Sequence, residues 1–330
     1  MSQATTGREG QRIEHKGDEM LNDSGFGENL NGLKVLVTGA NGFLGGHLVH
    51  HLTEHGATVH AVSRSIPSSF GEVRWVQGDV TNGDWLLEFV TNIKPDIIYQ
   101  LASSSQGGQD SQFVLPTFEN DLRSTVNVLL AAKACECSRV ILVASLEEPV
   151  GGGGRIEISS PYAAAKASST YYGSMFYQLY GVPVAMLRPY MVYGPGQKAH
   201  KVIPYTILSL LKGQAPKLSS GGRLVDWVYV KDIVAAFITA AIRPEAVGTV
   251  IDIGSGCLVE VRGVIEEIHR QIPRSPVPLL GAVPDRVRET RRCAETATAM
   301  RILGWRATTP LSVGIAETIE WYRERLSQMS

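Results

Sequence analysis

A surplus of charge is the first thing this sequence lacks: 31 Lys and Arg stand against 32 Asp and Glu, a net charge of -1. Without a basic excess there is no electrostatic footprint for nucleic acid or an anionic membrane surface, so neither is expected as a partner and any anion must be held locally. Cysteine is scarce. The four present, Cys135, Cys137, Cys257 and Cys293, show no paired ligand spacing, so no metal site is expected. Cys135 and Cys137 fall late in a helical pattern, where buried or surface thiols are the simpler reading, and such usage suits a reducing cytoplasm. Long apolar runs are missing as well. The first thirty-odd residues, rich in Gly, Asn, Glu and Ser, supply neither a signal-peptide core nor a membrane span. Residues 1–32 therefore read as a flexible leader on a cytoplasmic protein.

What is present is an ordinary globular composition, 44% hydrophobic and 19% charged, enough for one large core or two unequal ones. Leu33 to Leu52 organises it. An apolar strand meets Gly39, Gly42 and Gly45 and passes directly into an amphipathic helix. Glycines at this spacing let the chain turn, let a pyrophosphate reach exposed N–H groups, and let helix pack on strand. Asn41, Phe43 and Leu44 are expected beside the same ligand. A plain tight turn is the alternative.

Further strands are expected at Ala57–Val62, Val73–Gln77, Pro95–Ala102 and Arg139–Ala144, with a helix over Asn120–Glu136. This alternation predicts an α/β fold, a doubly wound parallel Rossmann-type sheet with right-handed crossovers. The second strand ends in Ser63-Arg64-Ser65. An acidic residue there would bind a ribose 2′-hydroxyl, whereas Arg or Ser accommodates a 2′-phosphate, so NADP is favoured with NAD open. Arg64 stacked on adenine or merely solvated stays as the other reading. The fourth strand closes on Leu101, Ala102 and Ser103, small enough to leave cofactor room, and the polar loop after it, with Ser104 and Ser105, is a candidate substrate loop.

Chemistry-bearing residues follow the fifth strand. Ser145 and Glu147 close it, and Tyr162 and Lys166 stand four apart on one expected helix face. An ammonium there can lower the phenol from about 10 toward the working pH, making Tyr162 a general acid/base, while Ser145 holds the substrate oxygen.

These elements resemble the short-chain dehydrogenase/reductase superfamily, whose fingerprint is T-G-x-x-G-x-x-G, and the trio looks like the active site of its extended members, the NAD-dependent epimerase/dehydratase family acting on nucleotide sugars. The resemblance runs from Leu33 to Arg325. It includes Leu187 to Gly196, with Pro189, Met191 and Val192 expected at the cofactor, the Asp226–Asp232 block, Asp252–Gly256, Leu303–Trp305 and Trp321-Tyr322. It places Asp79 and Val80 near the adenine, although Asp79 as a helix N-cap stays open. It implies a smaller C-terminal substrate-binding lobe: 33–190 and 226–256 would form the dinucleotide domain, and 191–225 with 257–330 mainly the lobe. It also implies a homodimer through the helices Asn120–Glu136 and Tyr162–Tyr180, with Tyr171, Tyr172, Met175, Phe176 and Tyr177 as a possible face.

Three departures bear on the substrate. Met191 stands where the family usually has Asn, Val225 where it has Arg, and Val283-Pro284 where an Arg-Pro pair is frequent. Arg223, Arg286, Arg288, Arg291 and Arg292 are nearby, either as a rearranged diphosphate clamp, with Arg223 and Arg288 foremost, or as solvated charge. A 4,6-dehydratase typically carries an acid pair after the Ser/Thr, and here Leu146 replaces one acid, although the family's single-acid dehydratases keep that reading open. An epimerase needs none, but retains its cofactor, usually NAD. The Ser-x-Glu-Glu run resembles reductases of 4-keto-6-deoxyhexose nucleotides. The leading expectation is therefore an NADPH-dependent 4-ketoreductase of deoxysugar biosynthesis, with Glu147 on sugar hydroxyls or, in a dehydratase, acting as base. Epimerase or dehydratase with retained NAD(P) is the alternative, and a redox-silent dinucleotide sensor a distant one.

Overall fold

The computed structural model describes residues 30–66, 73–104, 108–149, 156–285 and 291–329. β1 (Lys34–Thr38) buries Val35, Leu36 and Val37 completely, as a strand covered on both faces must. α1 (Phe43–Glu54), β2 (Thr58–Ser63), β3 (Arg74–Gln77), α2 (Gly83–Ile93) and β4 (Ile97–Gln100) follow. α3 (Val114–Thr117) passes through a π-helical turn, Phe118–Arg123, into α4 (Ser124–Cys135), then β5 (Arg139–Val143), α5 (Pro161–Tyr180) and β6 (Val184–Pro189). The remainder is β7 (Met191–Tyr193), α6 (Val202–Leu211), β8 (Leu224–Tyr229), α7 (Val230–Ile242), β9 (Val250–Ile253), β10 (Leu258–Glu260), α8 (Val261–Gln271), α9 (Thr296–Leu303) and α10 (Leu311–Met329).

The central sheet runs β3-β2-β1-β4-β5-β6-β9, every pairing parallel. This is the doubly wound Rossmann-type α/β fold expected from the alternation of strands and helices. Val35 and Val37 pack with Leu48 and Leu52 of α1 and Phe237 of α7, while Leu36 packs on the other face with Val90, Leu129 and Phe176. The chain order reverses beside β1, between β1 and β4, which opens a crevice at the carboxyl ends of the strands. A second sheet, β10-β8-β7, forms a smaller lobe with α6, α8 and α10 around Ile207, Val225, Trp227 and Ile319.

Four boundaries differ from the sequence reading. Residues 1–29 of the expected leader lie outside the described residues, but Leu30 is 2% exposed and the Gly32 N–H donates to the Gly56 carbonyl, so the fold begins before Leu33. Residues 226–256 divide: β8 pairs with β7 and β10 in the small sheet, whereas α7 and β9 return to the large one. α9 packs on β9, outside the lobe, because Ala299 and Leu303 complete the core beneath that edge strand. The helix expected over Asn120–Glu136 contains the π-helical turn, which no periodicity announces. Among the described residues, no helix is long and apolar enough to cross a membrane, and no group of three His, Cys, Asp or Glu could hold a metal ion.

Candidate active site

A cleft of about 1740 Å³ lies over the crevice and extends under the small lobe. Its floor is the β1–α1 turn. Gly39 adopts φ +65°, and a Cβ there would stand 2.7 Å from the Ala102 nitrogen and 2.8 Å from the Leu101 carbonyl carbon. At Gly45 a Cβ would meet the Gly39 oxygen at 2.3 Å, so this glycine lets α1 seat on the turn. Thr38, given no role beyond the first letter of the glycine fingerprint, bolts the two strand ends together: its hydroxyl donates to Gln100 at 2.5 Å and accepts from the N–H groups of Leu101 and Ala102.

The turn fits a dinucleotide. Gly42 occupies the N-cap of α1 with no side-chain cap, and the first helical turn carries no acid, so N–H groups and the helix dipole are open to a pyrophosphate. Asn41, Phe43 and Leu44 line this end with the three glycines. Ser63, Arg64, Asp79 and Val80 line it beyond β2 and β3. Arg64 donates to Asn120 at 3.3 Å, and Asp79 accepts from both the N–H and the hydroxyl of Thr81. The N-cap of α2 is Asn82, not Asp79, which resolves that alternative. Leu101, Ala102, Ser103, Pro189, Met191 and Val192 complete the wall toward the small lobe.

At the centre, Ser145, Tyr162 and Lys166 come together as expected from their order in the chain. α5 begins at an N-cap Ser160, whose hydroxyl accepts the Ala163 N–H, with Pro161 at the first helical position, and this start fixes where Tyr162 faces. Lys166 Nζ donates to the Val143 carbonyl at 2.9 Å and sits 5.9 Å from the Tyr162 ring centroid. The phenol does not titrate as expected. Burial pushes it above its ordinary value, Lys166 and hydrogen bonds with Ser145 and Ser103 pull it down, and Asp121 pushes it up, with a net rise.

Asp121 was not legible in the sequence. It lies in the π-helical turn, 0% exposed, and accepts from the Ser103 and Ser104 hydroxyls, with Lys166 Nζ 3.9 Å away. Ser104, expected at the substrate, is turned to Asp121 instead of lining the cleft, because the buried carboxylate needs its donors. Ser105 and Arg288 lie outside the described residues.

The two glutamates after Ser145 diverge. Glu147 lines the cleft, accepts from Ser159 at 3.0 Å, and lies 3.9 Å from Arg223. Glu148 turns inward to accept the Ser145 N–H and Thr170 and to pair with Arg188. Of the other arginines, Arg291 lines the cleft, whereas Arg292 donates to the Leu146 and Glu148 carbonyls and props the turn. Lys198, Lys201 and Lys217, with His200, line the small-lobe end, residues that the motif reading passed over because they fall between the motifs.

Comparisons with known proteins agree with this geometry. The model of the NAD dependent epimerase/dehydratase family matches residues 35–254. A UDP-glucose 4-epimerase of Mycolicibacterium smegmatis is 28% identical over 323 residues, covering 89% of this chain and 99% of that one. A human dTDP-D-glucose 4,6-dehydratase is 26% identical over 320 residues, covering 88% of this chain and 90% of that one. Among solved structures, MoeE5 in complex with UDP-glucose and NAD superposes with a TM-score of 0.79 at 28% identity, covering 89% of this chain and 99% of that one. The β1–α1 glycine turn, the Ser145–Tyr162–Lys166 centre and the match over residues 35–254 lead to one conclusion: this chain belongs to the NAD-dependent epimerase/dehydratase family and is an enzyme of the extended short-chain dehydrogenase/reductase type.

Proposed function

We propose that this enzyme interconverts nucleotide sugars at a ring hydroxyl as an epimerase that keeps its nicotinamide dinucleotide bound through the cycle. The observation that carries the reading is the divergence after Ser145. Leu146 puts an apolar side chain where the family's dehydratases typically place the first acid, and Glu148 is consumed by Arg188. Only Glu147 of that turn faces the cleft, which leaves no acid pair to expel water. Reduction of a 4-keto-6-deoxy sugar rested on the Ser-x-Glu-Glu run, and the structural role of Glu148 weakens that support. The relatives' activities favour epimerase and dehydratase chemistry.

In this reading Ser145 holds the sugar oxygen, and Tyr162 takes its proton and later returns it, under the charge of Lys166. A bound nicotinamide supplies reversible hydride transfer. Arg223, Arg291 and the lysines at the small-lobe end hold the nucleotide diphosphate. NAD in MoeE5 supports NAD here, and the cation at Arg64 supports NADP. The four cysteines are free thiols, in keeping with a cytoplasmic enzyme. Tyr171 and Leu179, 76% and 67% exposed on α5, with Leu130 on α4, offer the apolar face of a homodimer. Phe176 of the expected face is buried in the core instead.

The test is to incubate the purified chain, without added cofactor, with UDP-glucose, UDP-galactose and dTDP-glucose and to follow the sugars by proton NMR. Appearance of the C4 epimer is expected. A 4-keto-6-deoxy product would establish the dehydratase reading, which Glu147 on the cleft wall favours. Conversion only of a 4-keto-6-deoxy sugar, and only with NADPH added, would overturn both. Mass spectrometry of the cofactor released on denaturation distinguishes NAD from NADP.

A further inference from the structure

Asp121 is a buried carboxylate that the mechanism above does not use. Its side chain is 0% exposed, yet it reaches the reacting centre by two routes. One oxygen accepts from the Ser103 hydroxyl, and Ser103 in turn hydrogen-bonds with Tyr162. The same oxygen lies 3.9 Å from Lys166 Nζ, while the second oxygen takes the Ser104 hydroxyl at 2.5 Å and its N–H at 3.3 Å. The π-helical turn makes this possible. It leaves the Asp121 carbonyl to accept the hydroxyls of Thr125 at 2.7 Å and Ser169 at 3.1 Å, which pins the residue between α5 and the end of β4.

We propose that Asp121 is a positioning residue for the reaction: acting through Ser103 and against Lys166, its carboxylate offsets the ammonium's charge at Tyr162, so that the phenol can give a proton as well as take one. The proposal rests on Tyr162 being the acid/base of the proposed function. The groups that face Tyr162 are Lys166 from its own helix, Asp121 from the π-helical turn, Ser103 from the end of β4 and Ser145 from the end of β5. Glu147 and Arg223 form an opposed pair on the wall of the same cleft. Lys166 alone would favour a phenolate. A negative charge within ion-pair distance of that ammonium offsets its field, so the phenol gives up its proton less readily than it would beside Lys166 alone.

The test titrates Tyr162 directly, in the full chain free of cofactor and substrate, so its failure is separable from a wrong substrate assignment. With tyrosine labelled at Cζ with carbon-13, the Tyr162 signal is assigned among the 11 tyrosines by its loss in Tyr162→Phe. In Asp121→Asn, nearly the same shape without the charge, the Tyr162 midpoint is expected to fall by about one pH unit. Asp121→Glu, which restores the charge, should return it toward the native position. A purely structural role for Asp121 would lower the melting temperature and leave the midpoint in place. An unchanged midpoint in folded Asp121→Asn overturns the proposal, as does a Tyr162 that stays protonated in both chains up to alkaline unfolding. Should Asp121→Asn not fold, Ser103→Ala decides: it cuts the link through which the carboxylate acts, so the midpoint should fall, and a midpoint that stays put or rises overturns the proposal.

Discussion

Glu148 and Arg188 hold each other at 3.0 Å, and the same carboxylate accepts the Ser145 N–H at 2.8 Å. The other arm of the Arg188 guanidinium reaches Asp252 at 2.8 Å, so the turn bearing Ser145 is tied through β6 to β9. Removing one partner of such a pair leaves a poorly solvated charge behind, which costs more than the pair's net worth. Glu148→Ala is expected to destabilise the protein by about 3 kcal/mol. Urea unfolding measures this, and a loss below about 0.5 kcal/mol would show the tie to be inert.

Tyr162→Phe removes the proton carried by the reaction and little else, since the ring and its packing stay. Turnover should fall by roughly 10²- to 10⁴-fold with the melting temperature within a few degrees of native. Lys166→Met should lose activity comparably. A Tyr162→Phe enzyme at near-native rate would remove Tyr162 from the chemistry.

At Gly39 the chain needs both φ +65° and the missing Cβ, which would stand 2.7 Å from backbone. Gly39→Ala should cost about 2 kcal/mol in strain and push β4 away from the turn. Fluorescence titration with NADH should then show affinity weakened tenfold or more. Unaltered affinity and stability would mean that the turn yields easily.

Acid sensitivity should appear above the carboxylate range. Burial holds the His47 imidazole below its usual value, where its Nε2–H donates to the Pro195 carbonyl at 2.8 Å; burial also lowers His51 and His60. Below about pH 6.5 the unfolded chain binds protons that the folded chain refuses, so stability falls with pH through that region and levels off once the folded imidazoles titrate. Melting temperatures between pH 7.5 and 5.5 should show this decline, and His47→Gln should make it shallower. An identical slope in the variant would remove His47 from the effect.

The exposed α5 face predicts its own result. Light scattering on an eluting size-exclusion peak should give a dimer for the native chain and a monomer for Tyr171→Glu. A native monomer would leave that face without the proposed use.

The sequence by itself determined what depends on near neighbours along the chain. Apolar strand runs alternating with helical periods imply a parallel sheet. Glycines three apart after a strand imply a helix N-terminus open to phosphate, and Tyr162 and Lys166 share a face because four residues complete about one helical turn. Tertiary structure decided what depends on distant segments meeting. Which glutamate after Ser145 faces the cleft follows from Arg188 and Thr170 drawing Glu148 inward. That β8 joins the small sheet follows from pairing with β7 and β10, which hydrophobicity alone does not specify. Asp121 was hidden for the same reason. An acid in a helical stretch reads as solvated charge, as its neighbour Glu119 is, until a π-helical turn seals it between Ser103, Ser104 and Lys166, where burial raises the effect of its charge.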